Sequence, residues 1–141
     1  AHGRRLVVEA LALEVVEVVR GIVTQQPVLV HCTVGKDRTG VTVALALAAA
    51  DVERDDVVAD YARTEALLPE WRSTSVVAHL RRLHPHARHL EDLASKSPAS
   101  VMADLLADID RRYGSAGDYL RAHGMTDDEV HEVKRVLVTA R

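Results

Sequence analysis

The sequence predicts an α/β chain, helical over most of its length, in which a loop joins one buried strand to one buried helix. Three observations predict it. Pro27-Val28-Leu29-Val30 is a short apolar run rich in β-branched residues, which reads as a strand over 28–31 buried on both faces. The stretch 39–50 is almost wholly apolar and built from good helix formers, which reads as a buried helix. Downstream, capping residues, prolines and glycines punctuate one helical pattern after another, and no second strand emerges.

Ahead of the strand, 6–22 is rich in valine. Glu9, Glu14, Glu17 and Arg20 fall on one side of a helical projection, so the stretch is expected to be a helix packed by its opposite face. After the central helix, Asp55 is placed to cap a helix running to about 67, closed by Pro69. A short basic helix is expected over 75–83, interrupted at Pro85, and another over 86–94. Ser97 followed by Pro98 reads as a cap and first helical position. Val101, Leu105, Ile109 and Tyr113 mark that helix's apolar face, and Gly114 ends it. Thr126 with Glu129 is a capping box for a last helix running to about 139. No repeat, low-complexity tract or linker divides the chain, which therefore reads as one domain over 1–141. A doubly buried strand needs neighbours, so that domain is expected to be incomplete, its sheet finished by an upstream segment or a second copy.

The loop is His31-Cys32-Thr33-Val34-Gly35-Lys36-Asp37-Arg38-Thr39-Gly40. It lies at a helix N-terminus, where unpaired backbone N–H groups and the positive end of the macrodipole favour an anion, and favour thiolate over thiol. A free cysteine titrates near ~8.5, but such surroundings commonly lower it to about 3.5–7.5. Cys32 is therefore the candidate nucleophile. Arg38 offers a planar fork of donors able to hold two phosphoryl oxygens at once, which a lysine would not reproduce. Gly35 lets the loop turn its amides inward, so that Thr33, Val34, Gly35, Lys36, Asp37 and Arg38 together cradle a phosphate, with His31 and Gly40 in support. Gly40 also permits close helix packing. The Thr39 hydroxyl is within reach of the sulfur and suited to stabilising it as a leaving thiolate.

Composition narrows the alternatives. The formal net charge of -3 excludes a generally basic nucleic-acid binder. One cysteine excludes an internal disulfide and any Cys-based zinc cluster, and leaves the compartment, cytoplasmic or secreted, open. A Walker-type nucleotide loop is excluded because Lys36 is followed by Asp37 rather than Ser or Thr. No metal or other cofactor is called for.

HCTVGKDRTG resembles the Cys-x5-Arg signature loop of the protein tyrosine phosphatase superfamily, and its Gly-Lys-Asp-Arg-Thr-Gly core resembles that of the bacterial tyrosine and phosphoinositide phosphatases. Arg112-Tyr113-Gly114-Ser115 and Tyr119-Leu120-Arg121 are similar to the end of that family's domain. The resemblance implies that the chain is the C-terminal, mostly helical part of a tyrosine-phosphatase-like domain. It implies Cys32 as nucleophile and Arg38 as phosphate ligand. Many members carry their general acid on an upstream loop, and no Trp-Pro-Asp segment here matches it. That leaves Asp37 as the acid, with a salt bridge that orients Arg38 or a neighbouring loop as its other reading. Lys36 reads either as a solvated lysine or as a cation at the loop rim suited to a second phosphate, as on an inositol phosphate headgroup.

The substrates so implied are phosphotyrosine, phosphoserine or phosphothreonine proteins, or phosphoinositides, with inorganic phosphate as product. A phosphate-binding module that does not turn over, or an arsenate reductase or sulfur transferase, are the alternatives. Three features lie outside the loop. His79, His84, His86 and His89 read as solvated histidines or a metal cluster. Arg81, Arg82 and Arg88 read as a solvated face or as cations on a helical lid over about 69–97. Trp71 reads as a packing residue or a substrate platform.

Overall fold

The computed structural model describes residues 8–138. The first residues of the expected 6–22 helix and the last of the expected terminal helix lie outside them. Helices follow in the order α1 (Ala12–Thr24), α2 (Asp37–Ala49), α3 (Arg54–Leu67), α4 (Glu70–Leu83), α5 (Leu90–Ser95), α6 (Ala99–Tyr113), α7 (Ala116–Ala122) and α8 (Asp127–Leu137).

The core is organised around α2, against which α1, α3, α7 and α8 all pack. Its sequence explains that position. Val41, Ala44, Leu45, Ala46 and Ala49 are buried on more than one face, which a helix flanked on all sides requires. On α1 the expected division holds: Ala12, Val15, Val16 and Val19 are buried while Glu14 and Glu17 face outward, as does Glu9 ahead of the helix. Arg20 ties α1 to α8, its Nε donating to Glu129 Oε1 at 2.7 Å. That bond, with the Thr126 backbone N–H, holds the Glu129 carboxyl down at about 2. The same Glu129 closes the capping box with Thr126. Tyr119 on α7 is buried and donates its hydroxyl hydrogen to the Val8 carbonyl at 2.7 Å.

The expected strand does not form. Residues 27–32 have no regular secondary structure, and Leu29 is 87% exposed, so neither burial nor pairing is realised. A strand exists only through a neighbour's ladder, and among the described residues every other long apolar run has gone to helix. The described residues are therefore all-helical rather than α/β.

Smaller departures concern boundaries. The helix expected from 75 begins at Glu70, directly after Pro69, and α5 begins at Leu90 rather than 86. Helix α3 begins at Arg54 with Glu53 as its cap residue, ahead of Asp55. Ser97 does not cap α6. Its hydroxyl accepts from the Glu65 backbone N–H at 2.9 Å, its own N–H donates to Glu65 Oε2, and Pro98 takes the cap position. Helices α4 and α5 pack on each other as an arm, and α4 buries none of its residues.

Candidate active site

The loop 31–40 runs from the exposed segment into the first turn of α2. Gly35 takes φ +79°, a backbone conformation that suits glycine, and this turns its N–H onto Cys32 Sγ at 3.2 Å. No side chain caps the α2 N-terminus, which leaves that end open toward the sulfur. Burial pushes the Cys32 thiol up. Hydrogen bonding from the Thr39 hydroxyl and from the backbone N–H groups of Thr39, Val34 and Gly35 outweighs it and brings the thiol down to about 6. The Thr39 Oγ1 is itself buried and meets no protein oxygen or nitrogen, so its proton is free to serve the sulfur.

Arg38 is exposed and folds back across the loop, its Nη2 donating to Thr33 Oγ1 at 2.9 Å. Cys32, Arg38 and Thr39 share an open cleft of about 340 Å³ with His31, Val30 and Thr42, whose far wall is Leu11, at the cap of α1, and Glu14, Val15 and Val18 of the helix. The cleft therefore has a polar end at the loop and an apolar side. Gly40 does what close packing asks of it: a Cβ at this position would stand 2.7 Å from the Tyr61 ring of α3.

Lys36 departs from the expected rim position. Its side chain is 1% exposed, and Nζ donates to Asp37 Oδ2 at 2.8 Å and to the Lys96 carbonyl at 3.0 Å. The ammonium finds two oxygen acceptors, one on the next residue and one 60 residues away, which compensate the cost of taking it out of water. Asp37 is oriented by that bond, which pairs it with Lys36.

Of the features outside the loop, His79, His84, His86 and His89 are all exposed. Among the described residues, no group of three or more His, Cys, Asp or Glu side chains is gathered at metal-holding distance. Arg81 is tied to Glu91 on the neighbouring helix, Arg82 and Arg88 are exposed, and Trp71 is 68% exposed, so it is not a packing residue. The arginine of the arm that does reach the loop is Arg72, whose Nη2 donates to the Thr33 carbonyl at 3.3 Å. Sequence reasoning passed over it. Its one available signal was a cation three residues after Pro69, ahead of the helix expected from 75.

Comparison with known proteins shows the family. A family model described as "Tyrosine phosphatase family" matches residues 3–139. The chain is 37% identical over 122 residues to "Triple specificity protein phosphatase PtpB" of Mycobacterium tuberculosis, a match covering 80% of this chain and 44% of the relative. It is 30% identical over 123 residues to "Tyrosine-protein phosphatase" of Nostoc commune, covering 84% of this chain and 42% of that one. The chain thus spans less than half the length of these relatives.

Proposed function

We propose that this chain, which belongs to the tyrosine phosphatase family, hydrolyses phosphomonoesters through a cysteinyl-phosphate intermediate. The Cys32 thiolate attacks phosphorus in line with the ester oxygen, so that an S–P bond forms as the P–O bond breaks. Asp37 gives the departing oxygen its proton. Water, losing a proton back to Asp37, then attacks the phosphocysteine and releases inorganic phosphate and the thiolate. Arg38 and the inward amides of residues 33–38 hold the equatorial oxygens, where charge is spread in the transition state. Thr39 steadies the sulfur as it leaves, and the buried Lys36 sets the direction of Asp37.

The observation that carries this reading is the sulfur's setting: the chain's one cysteine accepts hydrogen bonds at the head of a buried helix and has its pKa drawn to about 6. Phosphotyrosine proteins are the proposed substrates, extending to phosphoserine, phosphothreonine and phosphoinositide headgroups. The name "triple specificity" on one relative supports a broad range. We further read 1–141 as belonging to one phosphatase domain that the chain alone does not fill, with 69–97 as a helical lid, and the apolar run 28–30, exposed at Val28 and Leu29, as the edge on which a further strand pairs.

A panel of nitrophenyl phosphate, a phosphotyrosine peptide and a phosphoinositide tests the reading, run on the chain and on Cys32→Ser. The expected result is hydrolysis by the native chain and a loss of about 10³-fold or more in the variant, whose hydroxyl is scarcely ionised at neutral pH. Equal hydrolysis by both would overturn it. Phosphate binding without hydrolysis by either would replace it with a binding module.

A further inference from the structure

Two guanidinium groups converge on Thr33, the residue after the nucleophile. Arg38 takes its hydroxyl and Arg72, from the first turn of α4, takes its carbonyl. The two sides of that residue are not equivalent. The amides of Val34, Gly35 and Thr39 turn toward the sulfur, so the cradle is lined by N–H groups, and a donor bonded to the Thr33 carbonyl stands on the cradle's outer edge. Arg72 is also sparingly used there. Its bond to Thr33 is long and among the described residues it has no carboxylate partner; its Nε is buried, so the donors it has to offer a ligand are on the Nη groups. On the same helix Arg81 is engaged with Glu91, and elsewhere among the described residues Arg54, Arg111, Arg112 and Arg121 pair with carboxylates. A guanidinium with unspent donors beside an anion cradle is an anion site in its own right.

We infer that Arg72 is a specificity-determining residue that receives a second phosphate group carried by the same substrate whose first phosphate lies in the loop. The inference rests on the phosphatase reading above. It assigns to Arg72 the role that the sequence suggested for Lys36, whose ammonium is committed beneath the loop to Asp37 and Lys96. Arg72 comes from the arm rather than from the core, so recognition of the second group is separable from assembly of the loop.

Two measurements test it. With the native chain, Arg72→Gln and Arg72→Lys, kcat and KM are measured for phenyl phosphate and for a soluble inositol bisphosphate with neighbouring phosphates. Arg72→Gln is expected to lower the bisphosphate-to-monophosphate ratio of kcat/KM by about tenfold or more, through KM rather than kcat, because only ground-state binding of the second group is lost. Arg72→Lys should recover part of the ratio, since it keeps the charge and loses the fork. The second measurement needs no turnover: in a Cys32→Ser background, calorimetric titration with inorganic phosphate and with the bisphosphate should show Arg72→Gln weakening the latter preferentially. An unchanged ratio in both measurements, or an equal loss for both ligands, overturns the role of Arg72 and leaves the phosphatase reading standing. If inorganic phosphate does not bind the loop at all, the phosphatase reading fails and takes this inference with it.

Discussion

Helices α2 and α4 both bear on the loop, and they are built in opposite ways. Helix α2 follows the loop directly, buries Val41, Thr42, Ala44, Leu45, Ala46 and Ala49, and is surrounded by four other helices. Helix α4 buries nothing, packs on α5 alone to any extent, and touches the loop through the Arg72 hydrogen bond to Thr33. Packing free energy scales with apolar area removed from water, so the first helix fixes the loop while the second is held by polar contacts worth little in water. The chemistry of the sulfur thus depends on the core. What the arm contributes can change without disturbing it.

The contrast is broken most severely at Arg38, which belongs to the α2 side and, in the proposed reaction, to the chemistry as well. Arg38→Lys keeps the charge but loses the bidentate fork. Turnover of nitrophenyl phosphate should fall by about 10²–10³, with the melting temperature close to the native value because the side chain is exposed. A loss below about threefold would show that the loop works without the fork.

Next comes Gly40, where the α2 side is tested through packing. Glycine to alanine within a helix ordinarily stabilises by about 0.5–1 kcal/mol. Here the added methyl would stand 2.7 Å from the Tyr61 Cδ2, so Gly40→Ala should instead destabilise by about 1–3 kcal/mol, read from denaturant unfolding. A stabilised variant would mean that Tyr61 moves aside freely and that α2 is less firmly seated than its burial indicates. The smallest effect belongs to the arm. Trp71→Ala, at a side chain 68% exposed, should leave unfolding free energy within about 0.5 kcal/mol of native. A larger loss would make the arm part of the core.

The same contrast governs what could be read from the sequence. The loop, the helix after it, the amphipathic α1 and the Thr126 capping box were legible because each is written in residues adjacent in the chain. Thr126 and Glu129 satisfy each other's backbone N–H groups, and Gly35 needs only its own φ. Helix α7 carried a local signal too, the Ser115 hydroxyl accepting from the Asp118 N–H, which went unread. What was not legible depends on partners distant in sequence. Whether 28–31 pairs as a strand is decided by a neighbour, and its composition alone cannot supply one. Lys36 is buried because the Lys96 carbonyl, 60 residues away, meets it. Arg72 reaches the loop because an arm of little burial lays it against Thr33, 39 residues away.

If the loop on α2 makes Cys32 a thiolate at neutral pH, the chain's single cysteine allows that to be read without ambiguity. The measurement is the rate of iodoacetamide alkylation against pH, with thiolate absorbance followed in parallel. A thiol held near 6 is mostly ionised above that value and protonates below it, so the alkylation rate should rise through a midpoint at about pH 6 and level off by neutrality. Thr39→Val should move the midpoint upward by removing the hydroxyl that favours the thiolate. A midpoint near ~8.5, the value of an unperturbed cysteine, indifferent to Thr39→Val, would contradict the account.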